Sequence, residues 1–245
     1  MGRVEHYPGG TFCWVELATS DLGAVAQFYE GLLGWRLETT EVGAIARIDD
    51  LDVAAVTAEP DAARGGWRSF VAVYDPAETT RRAAELGGSA LEDAVIRDPH
   101  GAELRLRPAG ASAGARLVDE VGAWSWTELV TPDLAAAGWF YGELFGWTAE
   151  AAGGPIERQS WTMGDLLIAG AHSPQPGKPT HPRWEVSFRV ADARAAAARA
   201  EQLGGRVLLP PMDIPIGAFT IVADPGGASL TLTEFGQVIR GVDGS

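Results

Sequence analysis

Two short stretches carry residue types suited to holding a small molecule and moving a proton on it. Trp14 and Glu16 lie two positions apart, and Trp126 and Glu128 repeat that spacing. Both stretches alternate large residues like half-buried strands, so each indole shares a face with its carboxylate. An indole offers a flat apolar wall, while the carboxylate can fix a polar edge or shuttle a proton. Further along, Glu103, Arg105 and Arg107 share one strand face, and Ser229, Thr231 and Thr233 share another. One carboxylate therefore has guanidinium groups to meet and the other has hydroxyls. Glu16 facing Arg105 has two readings, a ligand clamp or simple packing, because a buried carboxylate needs a partner or a proton. Glu128 has no Arg on its matching strand, and an unpaired carboxylate there would have its pKa raised by desolvation.

The elements that position these residues emerge from an internal repeat. Residues 12–38, FCWVELATSDLGAVAQFYEGLLGWRLE, return at 124–150 as WSWTELVTPDLAAAGWFYGELFGWTAE without a gap. Each copy predicts a strand, then an Asp that caps a helix (Asp21, Asp133), then apolar positions at helical spacing, then a Gly that ends it (Gly34, Gly146). Short β-like runs follow at 35–41, 44–49 and 52–58, and again at 147–151, 158–163 and 165–171. The unit is βαβββ. A weaker repeat follows each copy: 67–88 parallels 184–205, and both run into Asp-Pro-x-Gly turns, DPHG and DPGG, before a closing strand. Four modules result. The small, polar segment 109–116 reads as a linker, which places one domain at 10–110 and a second at 121–236, with GVDGS as a frayed tail. The Pro-rich stretch 173–182 reads as either a lid or a plain connector. The apolar stretch 209–219, with Met212, Ile214, Ile216 and Phe219, reads as a loop that edges a binding mouth or packs on its neighbour.

The pattern WxELxTxDxxxxxxFYxxLxGW, met twice, with Asp-Pro-x-Gly before each closing strand, resembles the glyoxalase/bleomycin-resistance/extradiol dioxygenase (vicinal oxygen chelate) superfamily over nearly the whole chain. The resemblance implies an α+β fold, four βαβββ modules forming two open-barrel domains with helices outside and a cleft inside. It also implies a metal in the cleft, held by a His seven residues before each capping Asp and a Glu four residues after the turn Gly. Those positions are Trp14, Arg68 and Arg105 in the first domain and Trp126, Glu185 and Thr231 in the second. Indole is no ligand, guanidinium repels a cation, and only Glu185 is a conventional donor. The usual site cannot be built, so glyoxalase I and ring-cleaving chemistry are not expected and no cofactor is expected. His172, near the second cleft, leaves a noncanonical site with Glu185 open; His6, His100 and His181 fit surface or turn roles. The resulting expectation is a small-molecule binding protein, akin to the bleomycin-resistance members, with Trp14, Trp126, Arg68, Arg105, Glu185, Thr231 and His172 contacting an aromatic or hydrophobic ligand. Its competitor is an enzyme of the same superfamily, a lyase, isomerase or oxygenase-like member, using Glu128 or Glu16, Arg105, or an unusual metal.

Composition narrows the partners. With 33 acidic and 19 basic residues the formal charge is −14, a field that repels nucleic acid and anionic membranes. No apolar run is long enough to span a bilayer and the first residues lack a secretion pattern, so a cytoplasmic protein is expected. The one cysteine, Cys13, lies in a strand without a nearby His in sequence and reads as a small buried hydrophobe. A homodimer is left open.

Overall fold

A computed structural model describes residues 2–61, 65–92, 94–110, 114–153, 156–174 and 181–236. The first half contains β1 (Phe12–Thr19), α1 (Leu22–Leu33), β2 (Arg36–Thr40), β3 (Gly43–Ile48), β4 (Leu51–Ala58), β5 (Gly66–Val73), α2 (Pro76–Glu85), β6 (Ser89–Glu92), β7 (Val95–Arg97) and β8 (Glu103–Pro108). The second repeats it with β9 (Trp124–Val130), α3 (Leu134–Phe145), β10 (Thr148–Ala152), β11 (Arg158–Met163), β12 (Leu166–His172), β13 (Arg183–Arg189), α4 (Ala193–Gln202), β14 (Arg206–Ile214), β15 (Gly217–Ala223) and β16 (Ser229–Thr233).

The strands form two eight-stranded mixed sheets, ordered β2-β3-β4-β1-β5-β8-β7-β6 and β10-β11-β12-β9-β13-β16-β15-β14, and neither closes on itself. Modules therefore pair within each half. At each sheet's centre β1 runs antiparallel to β5 and β9 antiparallel to β13. The repeated Asp residues cap their helices: Asp21 accepts from Ala24 N–H and Asp133 from Ala136 N–H. Gly34 and Gly146 end α1 and α3 at φ 71° and 78°, left-handed conformations that favour glycine.

On β1, Cys13, Val15 and Leu17 are fully buried on the side of the helices, where the core of both halves is continuous. The halves are tied by reciprocal contacts. Tyr29 of α1 donates to Asp224 at 3.0 Å, and Tyr141 of α3 donates to Asp98 at 3.2 Å. Trp35 Nε1 donates to Gly122 O at 2.8 Å, and Trp147 Nε1 to Gly10 O at 2.7 Å. Phe188 packs on Trp35 and Trp67, while Phe12 packs on Trp147 and Trp184.

Two expectations change. The stretch 209–219 is not a loop: most of it lies in the β14–β15 hairpin. Pro210 and Pro211 fit because β14 is an edge strand and the pairing slips between Leu209 and Met212, so no ladder hydrogen bond is lost. The described part of the linker is not a free spacer: Ala115 N–H donates to Cys13 O and Arg116 N–H to Asp52 O, each within 2.8 Å. The rest of that linker (111–113), most of the Pro-rich stretch (175–180) and the tail lie outside the described residues. Cys13 is buried as expected, and burial pushes its thiol up to about 12. Among the described residues no helix is long and apolar enough to cross a membrane.

Candidate functional site

Alternation along the central strands turns Trp14 and Glu16, and Trp126 and Glu128, away from the helices, because Val15, Leu17, Thr127 and Leu129 occupy the helix side. Cross-strand register completes each open face. In the first half Trp14 stands opposite Phe70, Glu16 opposite Arg68, and Phe70 beside Arg105. In the second, Trp126 stands opposite Ser187, Glu128 opposite Glu185, and Ser187 beside Thr231. The residues selected from sequence thus converge on two faces. Each indole is only 6% exposed, so it forms a floor and not a free-standing platform.

The first face is a bridged ion network. Arg68 donates to Glu16 at 3.3 Å and to Glu59 at 3.0 Å, and Thr57 Oγ1 donates to Glu16 at 3.2 Å. Glu16 takes an ion pair from Arg68 of the adjacent strand β5. The Arg107 guanidinium lies over the Trp14 ring, 5.4 Å from its centroid, and 5.7 Å from the Phe70 centroid.

The second face gathers more titratable chemistry. Glu128 is not unpaired: Arg158 of β11 donates to it at 3.0 Å, which removes the premise of an uncompensated carboxylate. Gly170, paired in register with Glu128, leaves the space both need; a Cβ there would lie 3.1 Å from Glu128 Oε1 and 3.3 Å from Trp126 Nε1. Glu185 pairs with Arg183, and His172 Nε2 lies 3.9 Å from its other oxygen, too long for a hydrogen bond but an effective ionic contact. Carboxylates directly opposite one another on adjacent strands repel. Here Glu128 and Glu185 are accommodated because Arg158, Arg183 and His172 surround them. Burial disfavours the imidazolium, but Glu185 and Glu128 outweigh it and hold His172 above its ordinary 6.5. Burial likewise pushes Glu185 up, but His172 and Arg183 outweigh it and hold the carboxyl below its usual range.

A metal fits neither face. The first offers indole, guanidinium groups and a carboxylate already bridged by Arg68. The second offers His172 and two carboxylates committed to arginines. Among the described residues no group of three His, Cys, Asp or Glu side chains is placed to hold a cation. Sequence reasoning missed Arg158, Arg183, Thr57, Glu59 and Gly170. Arg158 was recoverable in part, since pairing the two expected strands 158–163 and 165–171 as a hairpin sets it near the end of the second, and the register shift in β11 brings it opposite His172.

Comparison with known proteins places this geometry. A family model described as a glyoxalase-like domain matches residues 14–107 and again 126–233. The chain is 36% identical over 261 residues to the Mycobacterium tuberculosis protein named "Putative glyoxylase CFP32", covering 96% of this chain and 98% of that one. It is 30% identical over 256 residues to the "Anthracycline biosynthesis protein DnrV" of Streptomyces peucetius, covering 92% and 93%. The fold matches the Mn(II)-bound glyoxalase from Novosphingobium aromaticivorans with a TM-score of 0.62 at 14% identity, over 96% of this chain and 84% of that one.

Proposed function

The chain belongs to the glyoxalase-like domain family, within the vicinal oxygen chelate superfamily, and on that footing we propose that it binds a small aromatic or hydrophobic molecule in its second cleft without the family's metal. The observation that carries this reading is the half-buried cluster of Glu128, Arg158, His172 and Glu185 beside the Trp126 floor. An apolar wall with few convergent polar groups is the usual composition of a ligand site. The relatives named for anthracycline biosynthesis lend support, since anthracyclines are planar aromatic compounds. The test is a titration with a panel of aromatic metabolites, read at the Trp126 indole N–H in a proton–nitrogen NMR spectrum after chelator treatment. Saturable shifts that persist without metal are expected. A ligand that shifts the resonance only after zinc, manganese, iron or nickel is added would overturn the metal-free reading.

A second reading rests on the His172–Glu185 pair. A histidine held above its ordinary pKa next to a carboxylate is equipped for general acid–base chemistry near neutral pH, as in a lyase or isomerase. If turnover of a bound metabolite is found, His172→Gln should abolish its pH dependence above 6.5. An unchanged profile would remove His172 from the chemistry.

A further inference from the structure

The two clefts differ most where the closing strands face them. The second presents Ser187, Thr231 and Thr233; at the matching places the first presents Phe70, Arg105 and Arg107. Arg107 is unusual among these. Its guanidinium rests on Trp14 and against Phe70, and no carboxylate among the described residues pairs with it, although acidic residues outnumber basic ones by 33 to 19. A half-buried guanidinium held by aromatic rings and not by a carboxylate keeps its charge available to an anion from outside. Aromatic contact holds the plane of an arginine while leaving its N–H groups at the edge to fork toward a planar oxyanion. Glu16 does not answer that need, because it is bridged by Arg68 and Thr57.

We propose that the first cleft is a separate site for an aromatic carboxylate, whose oxygens take the Arg107 edge while its ring lies against Phe70. It is independent of the second-cleft reading, because none of its residues belongs to that face. The ligand must also be anionic: a neutral isostere leaves the guanidinium's donors unanswered and gains only the ring contact.

Benzoate and its neutral analogue benzamide are the probes, titrated into the full chain by calorimetry and followed at the Trp14 indole N–H, assigned through Trp14→Phe. Benzoate is expected to shift that resonance and benzamide to bind at least tenfold more weakly. Arg107→Gln should weaken benzoate tenfold or more, and Arg107→Lys should restore part of the loss by returning charge without the planar fork. Equal affinity of the unaltered protein for both probes would sink the proposal, a comparison that needs no variant to fold. So would an Arg107→Gln protein with native near-ultraviolet dichroism that binds benzoate within twofold of the parent. Benzoate that shifts the Trp126 resonance but leaves that of Trp14 unmoved would likewise overturn the site while leaving the second-cleft reading intact.

Discussion

His172 links the second cleft to pH. Its imidazolium sits near two carboxylates, so the folded state holds the proton more tightly than the unfolded chain. A group with a raised folded pKa contributes stability that is fully present below the unfolded value and is lost as pH rises through the folded one. Stability should therefore fall as pH climbs from 6.5 upward through the folded value, and His172→Gln should flatten that slope in urea titrations between pH 5.5 and 8.5. A slope unchanged by the substitution would show that the imidazolium is not held by Glu185 and Glu128. Gly170 supplies the second residue-level test. Contacts of 3.1 and 3.3 Å from an added Cβ force Glu128 and Trp126 to give by a few tenths of an ångström. Gly170→Ala should then cost little stability, about 1 kcal/mol or less, yet weaken ligand binding in the second cleft severalfold. Equal binding by both proteins would show that the cleft tolerates that shift. The sequence exposed Trp126, Glu128 and His172 because alternation is local. It concealed the Arg158–Glu128 pair because that contact reaches from β11 to β9 across the intervening β12, over the space left by Gly170.

Helices and their caps were legible because capping is short-range chemistry. Asp75 and Asp192, like Asp21 and Asp133, accept from the N–H three residues on, and each opens a helix at the place its sequence position indicates. The β14–β15 hairpin was hidden by its prolines, which read as a loop unless the strand is known to lie at an edge. The stretch 109–116 was also misread as a spacer, and just beyond it lies a strained residue. Asp119 has a positive φ of 56°, one carboxyl oxygen buried without a hydrogen-bond partner, and a pKa pushed up to about 6 by burial, only partly countered by Arg189. Raised from 3.8, this carboxyl stabilises the fold when protonated and costs stability as pH rises through about 6. Asparagine keeps the shape, tolerates left-handed backbone and removes the charge. Because the group is partly exposed, solvent screening reduces the linkage, and Asp119→Asn should stabilise by about 1 kcal/mol at pH 7 and by nothing measurable at pH 3.5. Thermal melts at the two pH values check it, and equal shifts at both would exclude the charge as the cause.

Across the whole chain, the reciprocal Tyr–Asp ties make the halves one cooperative body. Tyr29 and Tyr141 are fully buried, and each reaches the Asp of the other half's Asp-Pro-x-Gly turn. Removing either hydroxyl leaves a buried carboxylate short of a donor, so Tyr29→Phe should cost about 1–3 kcal/mol. The intact chain should melt in a single transition, since Phe188 joins the aromatic cluster of Trp35 and Phe12 joins that of Trp184, so each cluster draws on both halves of one core. The repeat adds a sharper consequence. The first half carries both partners of the tie, Tyr29 and Asp98, and lacks only a second copy to meet them. Expressed alone, residues 1–116 should bury the exposed side of their aromatic cluster by pairing with themselves, Tyr29 of each copy donating to Asp98 of the other. Light scattering of the purified half should give twice the chain mass, and Tyr29→Phe with Asp98→Ala should weaken that dimer. A half that is folded and monomeric at micromolar concentration would show that each sheet closes its own core, and that the ties between halves are incidental to the fold.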